Sequence, residues 1–79
     1  MTDVERAWHI EQAELWLATG LRTIGVKHQS CDHIALTLVQ TEWDDQELED
    51  SASWSPEYFI RIAQYYADKY KLYELYGRT

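Results

Sequence analysis

From Ser55 to Gly77, SPEYFIRIAQYYADKYKLYELYG, apolar and aromatic side chains claim most of the circumference of a helix. Glu57, Arg61, Gln64, Asp68 and Lys71 recur at three- and four-residue steps and leave one narrow polar stripe. The remaining positions, from Tyr58 and Phe59 to Tyr73 and Tyr76, span roughly 200° or more, against roughly 100° for an ordinary surface helix. Such a helix is either central to its own domain, which is the expected place for this one, or shares a face with another chain. Its ends are marked. Ser55 is a capping residue, Pro56 suits the first helical position, and Trp54 and Phe59 are spaced as a hydrophobic staple. Gly77 suits the C-terminal cap, and Glu57–Arg61 and Glu74–Arg78 have the spacing of helix ion pairs.

The N-terminal pattern opens with Thr2 and Glu5 in capping-box positions and continues as a helix to Gly20 or Gly25. Val4, Ala7, Trp8, Ile10, Leu15, Leu17, Ala18 and Leu21 project to one broad side, and Glu11 and Glu14 fall inside it. Carboxylates are so rarely buried that a position at a seam edge, reaching water or a lysine, is the expected one for both.

Residues 21–29 read as a loop or a short strand. For Ser30–Trp43 two patterns compete. As a helix capped by Ser30, it sets His33, Thr37, Gln40 and Asp44 against Cys31, Ile34, Ala35, Leu38, Val39 and Trp43. As a strand it would form a hairpin within residues 22–42. The helix separates the two sets over more residues and has a cap, so it is the expected form. Asp44–Ser53 reads as a solvated acidic connection holding one short helical turn around Leu48. The expected fold is all-α, a single small domain over residues 1–79. It is a three-helix bundle, or four helices, with a long aromatic-rich C-terminal helix, and α+β is the alternative.

Charge sharpens the functional reading. The chain carries a formal net charge of −7. Between Lys27 and Arg61 the acids Asp32, Glu42, Asp44, Asp45, Glu47, Glu49, Asp50 and Glu57 meet no Lys or Arg. That disfavours direct binding to nucleic acid or to an anionic membrane surface, since both recognise cationic patches. One cysteine excludes an intramolecular disulfide, and no apolar run approaches the roughly 20 residues that span a bilayer. The cytoplasm is the expected location.

Candidate chemistry is sparse. His28, Cys31 and His33 are zinc-ligand types, with His9, Glu11 or Glu14 as distant completions, but no second spaced pair accompanies them, so no metal or cofactor is expected. Cys31, at a helix start but on the apolar side, is expected to be an inert core thiol. No phosphate-binding glycine loop or nucleophile–base pair occurs, and the chain is expected not to be an enzyme.

What remains is an acidic run with interleaved aromatics: Glu42, Trp43, Asp44, Asp45, Glu47, Glu49, Asp50, Trp54, Glu57 and Tyr58, with Tyr65 and Tyr73 on the long helix. These are the candidate protein-binding residues. The expected function is an acidic interaction module that docks on a larger basic protein. Its sharpest form is an inhibitor or nucleic-acid mimic of phage or mobile-element type. A homodimeric assembly subunit, paired through the tyrosine-rich helix, is the alternative, and a metal or small-ligand binder using His28, Cys31 and His33 is the third.

Overall fold

A computed structural model describes residues 1–79 and is all-α. Helix α1 spans Asp3–Thr23, α2 His28–Glu42, α3 Asp45–Ser51, α4 Pro56–Tyr70 and α5 Leu72–Tyr76. No helix is long and apolar enough to cross a membrane. The hairpin alternative over 22–42 does not form, and the only β-type pairing is an isolated antiparallel bridge between Val26 and Arg78.

The sequence reads the last helix as the centre, but α1 holds that place. It packs against α2, α3 and α4. At about 1.5 Å per residue its 21 residues run about 31 Å, most of the molecule's 36 Å long axis. Thr2 caps it with the expected capping box, and hydrogen bonds from Thr2 hold the Glu5 carboxyl below its ordinary pKa. Ala13, Leu17, Ala18, Gly20 and Leu21 are buried, whereas Val4, Trp8 and Leu15 are exposed beside Glu11. The odd acid therefore lies on a solvent-facing stripe, and Glu14 is half-buried at its edge.

Helix α1 runs through Gly20 because α4 crosses there at short range. A Cβ on Gly20 would lie 2.9 Å from the Phe59 carbonyl oxygen and 3.3 Å from the Ala63 Cβ. The helix stops at Thr23, and Gly25, at φ +90°, takes the left-handed step into the turn. Helix α2 then begins at His28, two residues before the expected cap at Ser30. Its N-cap is Lys27, which contributes no side-chain cap. The Lys27 N–H is held instead by the Gly77 carbonyl at 3.0 Å, and the Lys27 carbonyl accepts the Ser30 N–H at 3.0 Å. The chain's far end thus fixes where α2 starts.

The expected single helix over Ser55–Gly77 is broken at Lys71, which adopts φ 53°, ψ 50°. A non-glycine residue there costs roughly 1–2 kcal/mol. The break buries Leu72 to 3% exposure, a gain of about 1.5–3 kcal/mol. It also brings the Tyr73 hydroxyl to donate to the Ile24 carbonyl at 2.6 Å. Burial and the new hydrogen bond outweigh the strain. Neither expected ion pair on this segment forms: the Arg78 guanidinium lies 3.8 Å from the Tyr73 ring centroid, and Arg61 has no acidic partner.

The staple is present, with Trp54 and Phe59 ring centroids 5.5 Å apart. Phe59 also meets Trp16 and Trp43, which makes it the hub of the aromatic core. Nearby, the Trp43 Nε1–H donates to the Tyr66 hydroxyl at 2.8 Å, a buried bond joining the end of α2 to α4.

Burial raises the pKa of the Tyr66 phenol, the Trp43 donor opposes the rise, and Glu42 and Glu47 add to it. Burial likewise raises that of the Cys31 thiol, whose sulfur faces the Val26 and Lys27 carbonyls. Both groups are held neutral more firmly folded than unfolded. Their contribution is therefore complete at neutral pH and lost as pH climbs, beginning near about 8.5 for a thiol and about 10 for a phenol. Urea unfolding across this range should show declining stability, with a shallower decline in Cys31→Ala and Tyr66→Phe. At neutral pH Tyr66→Phe should itself lose about 1–3 kcal/mol, because a buried indole N–H is left without an acceptor.

Candidate functional site

The acidic connection is more ordered than its composition suggests. Asp44 caps α3 by accepting the Glu47 N–H at 2.8 Å, and the Glu47 carboxylate accepts the Asp44 N–H at 3.3 Å, a second capping box. Leu48 and Ser51 turn inward, so Asp45, Glu47, Glu49 and Asp50 are left on the outside of the helix. Asp45 pairs with Arg6 of α1 across the surface between the two helices. The only other ion pair in the molecule, Arg22–Asp32 at 2.8 Å, lies between α1 and α2. Glu42, Asp44, Glu47, Glu49, Asp50 and Glu57 have no basic partner, and their field faces solvent.

Beside this ridge the chain from α3 into α4 forms a groove of about 410 Å³, within the roughly 300–1,000 Å³ of ligand sites. Trp43, Glu47, Trp54, Tyr58 and Tyr65 all line it, so five of the residues expected from sequence converge on one surface. Trp43 is 5% exposed and serves as floor. Trp54 meets Tyr58 edge-on at 4.9 Å and Trp43 at 5.2 Å, which fixes its indole as a wall. Tyr65 is 59% exposed and forms the open lip.

Other expected residues lie outside the groove. Glu49, Asp50 and Glu57 are exposed but do not line it, and Asp50 accepts a hydrogen bond from Gln46 at 3.0 Å. Glu42 is half-buried and borders a second cleft of about 280 Å³ between α2 and α5, walled by Ile34, Leu38, Leu72 and the exposed Leu75. Tyr73 is occupied within the chain by its hydrogen bond to Ile24 and its contact with Arg78.

The groove also contains Tyr66, Ile62 and Arg61, which the sequence did not single out. The signal for Tyr66 was its spacing of four from Ile62 and eight from Tyr58, which puts all of them near one side of α4. The zinc-type residues do not converge. Cys31 is buried while His28 and His33 are exposed, and no group of three or more His, Cys, Asp or Glu residues is placed to hold a metal ion.

Comparison with known proteins finds no family model, no curated protein and no solved structure that matches this chain.

Proposed function

We propose that this chain is a protein-interaction module that docks on a basic protein through the acidic ridge of α3 and the aromatic groove beside it. The observation that carries the reading is the convergence of Trp54, Tyr58 and Tyr65 with Glu47 on one groove, next to Asp44, Glu49 and Asp50, which form no ion pair with a lysine or arginine of the chain. Aromatic area supplies affinity at an interface, and uncompensated charge supplies partner choice and on-rate. The sharper form of the proposal is that the acidic face occupies a nucleic-acid-binding surface of that partner, as an inhibitor or mimic does. The homodimer reading draws less from the geometry, because Tyr73 is already engaged with Ile24 and Arg78.

The test is capture from a lysate of the source cells at low and high salt, comparing wild type with Asp44→Asn, Asp45→Asn, Glu47→Gln and Glu49→Gln combined. Asn still caps a helix and Gln still closes a capping box, so the fold is kept while the charge is removed. Asp45→Asn costs only an exposed pair with Arg6, about 0–1 kcal/mol. A basic partner whose capture falls about tenfold or more in the variant, and falls with salt for wild type, is the expected result. Capture indifferent to both would overturn the reading.

A further inference from the structure

The groove has a chemical preference of its own. We propose that it takes the guanidinium of a partner arginine, stacked on the Trp54 or Tyr58 ring and paired with Glu47; this rests on the reading of a basic partner.

Aromatic faces attract cations, and a planar guanidinium stacks on them while its N–H edge reaches a carboxylate. The chain already uses its rings that way. The Lys69 ammonium lies 5.7 Å from the Tyr65 centroid and 5.2 Å from that of Tyr70, and Arg78 covers Tyr73 at 3.8 Å. The rings of Trp54 and Tyr58, by contrast, carry no cation of the chain. Glu47 is the carboxylate on the groove wall. It accepts the Asp44 N–H through one oxygen and has no basic partner, so it keeps capacity for a charged donor. Its position is set by the capping box, and the Trp54 wall is set by Trp43 and Phe59, so these two groups need little ordering on binding.

Arg61 also lines the groove, over no ring and beside no acid. It is a like charge to the proposed guest, and that yields an outcome a merely apolar groove would not give. Removing Arg61 should strengthen binding, whereas removing Glu47 should weaken it.

The experiment titrates the intact chain with N-acetyl-arginine amide, its lysine counterpart, and its citrulline counterpart, which matches arginine in shape without the charge. Nuclear magnetic resonance signals of the Trp54 indole and the Tyr58 and Tyr65 rings report the site. Arginine should saturate these signals about 2–5-fold more tightly than citrulline, with lysine between them. Glu47→Gln should weaken arginine binding about 2–5-fold and Arg61→Gln should strengthen it by a similar factor. Equal binding of arginine and citrulline, no saturable shift, or weaker binding in Arg61→Gln would overturn the assignment. Salt-sensitive capture of a basic partner with no response to the arginine probe sinks the arginine assignment alone. A charge-selective probe response with salt-indifferent capture sinks the partner reading instead.

Discussion

Phe59→Ala should lose about 3–5 kcal/mol of folding stability, the usual cost of deleting a buried ring. Phe59 is 2% exposed and its ring lies within 6.5 Å, centroid to centroid, of Trp16, Trp43 and Trp54. Three indoles cannot all move inward, because Trp43 is tied to Tyr66 and Trp54 is braced by Tyr58. The cavity therefore stays largely open, which puts the cost toward the upper end. Domains hold roughly 0.05–0.15 kcal/mol per residue, or about 4–12 kcal/mol for 79 residues, so this one change removes about a quarter or more. In urea, with a slope of about 1–1.5 kcal/mol per molar for so small a domain, the midpoint should fall by about 2–5 M. A loss under about 1.5 kcal/mol would mean that the indoles do close over the gap and that Phe59 is not their hub.

Gly20→Val should be comparably damaging, and Gly20→Ala separates the reasons. Alanine gains about 1 kcal/mol of helix propensity over glycine. Against that, its Cβ would meet the Phe59 carbonyl oxygen at 2.9 Å, and a backbone atom inside α4 cannot swing aside. Overpacking of this kind costs about 1–3 kcal/mol, so the net change for alanine is a loss of roughly 0–2 kcal/mol. Valine adds two methyl groups to the same gap and has poorer propensity, so its loss should be about 3 kcal/mol or more. For a domain of this size that is roughly 12–24 °C in Tm. Thr19→Ala, on the exposed side of the same helix, should stay within about 0.5 kcal/mol. Thermal unfolding of the three variants side by side checks the order. A Gly20→Val protein as stable as wild type would show that α1 and α4 are not in close contact at Gly20.

The capping and stapling signals carried through at both ends of the chain, whereas the local ion pairs Glu57–Arg61 and Glu74–Arg78 and the cap at Ser30 did not. Thr2 with Glu5, Ser55 with Pro56, the Trp54–Phe59 staple and the terminal Gly77 act within one or two turns, and each sits where its side-chain chemistry demands. The helix over most of 30–43 was legible for the same reason. The capping box of Asp44 and Glu47 was readable too, but the acidic composition around it suggested a connection and hid the cap.

What the sequence could not reveal was which helix lies at the centre. Helix α1 is apolar on several sides, so its periodicity does not tell the buried Ala13, Leu17 and Leu21 from the exposed Val4, Trp8 and Leu15. Its true marker is smallness, since Ala13, Ala18 and Gly20 let neighbours come close, and small residues add little to a hydrophobic pattern. The start of α2 at His28 and the break at Lys71 escaped for a different reason. Both are decided by partners nearly fifty residues away, Gly77 for one and Ile24 for the other. Of the candidate site, sequence supplied the aromatic and acidic members and missed Tyr66 and Arg61, whose place depends on how α4 faces α3.

The break at Lys71 does more than redirect a helix. Tyr73 reaches Ile24, Gly77 receives the Lys27 N–H, and Thr79 binds both Gly25 and Val26. These contacts close a loop that contains α2, α3 and α4. The docked end offsets part of the entropy of closing that loop, and the turn after α1 and the segment 73–79 gain or lose their order together. The short α5 is a clasp. The register of α2 is kept by the chain's own tail, and a fluctuation that frees residues 77–79 also releases the backbone from which α2 begins.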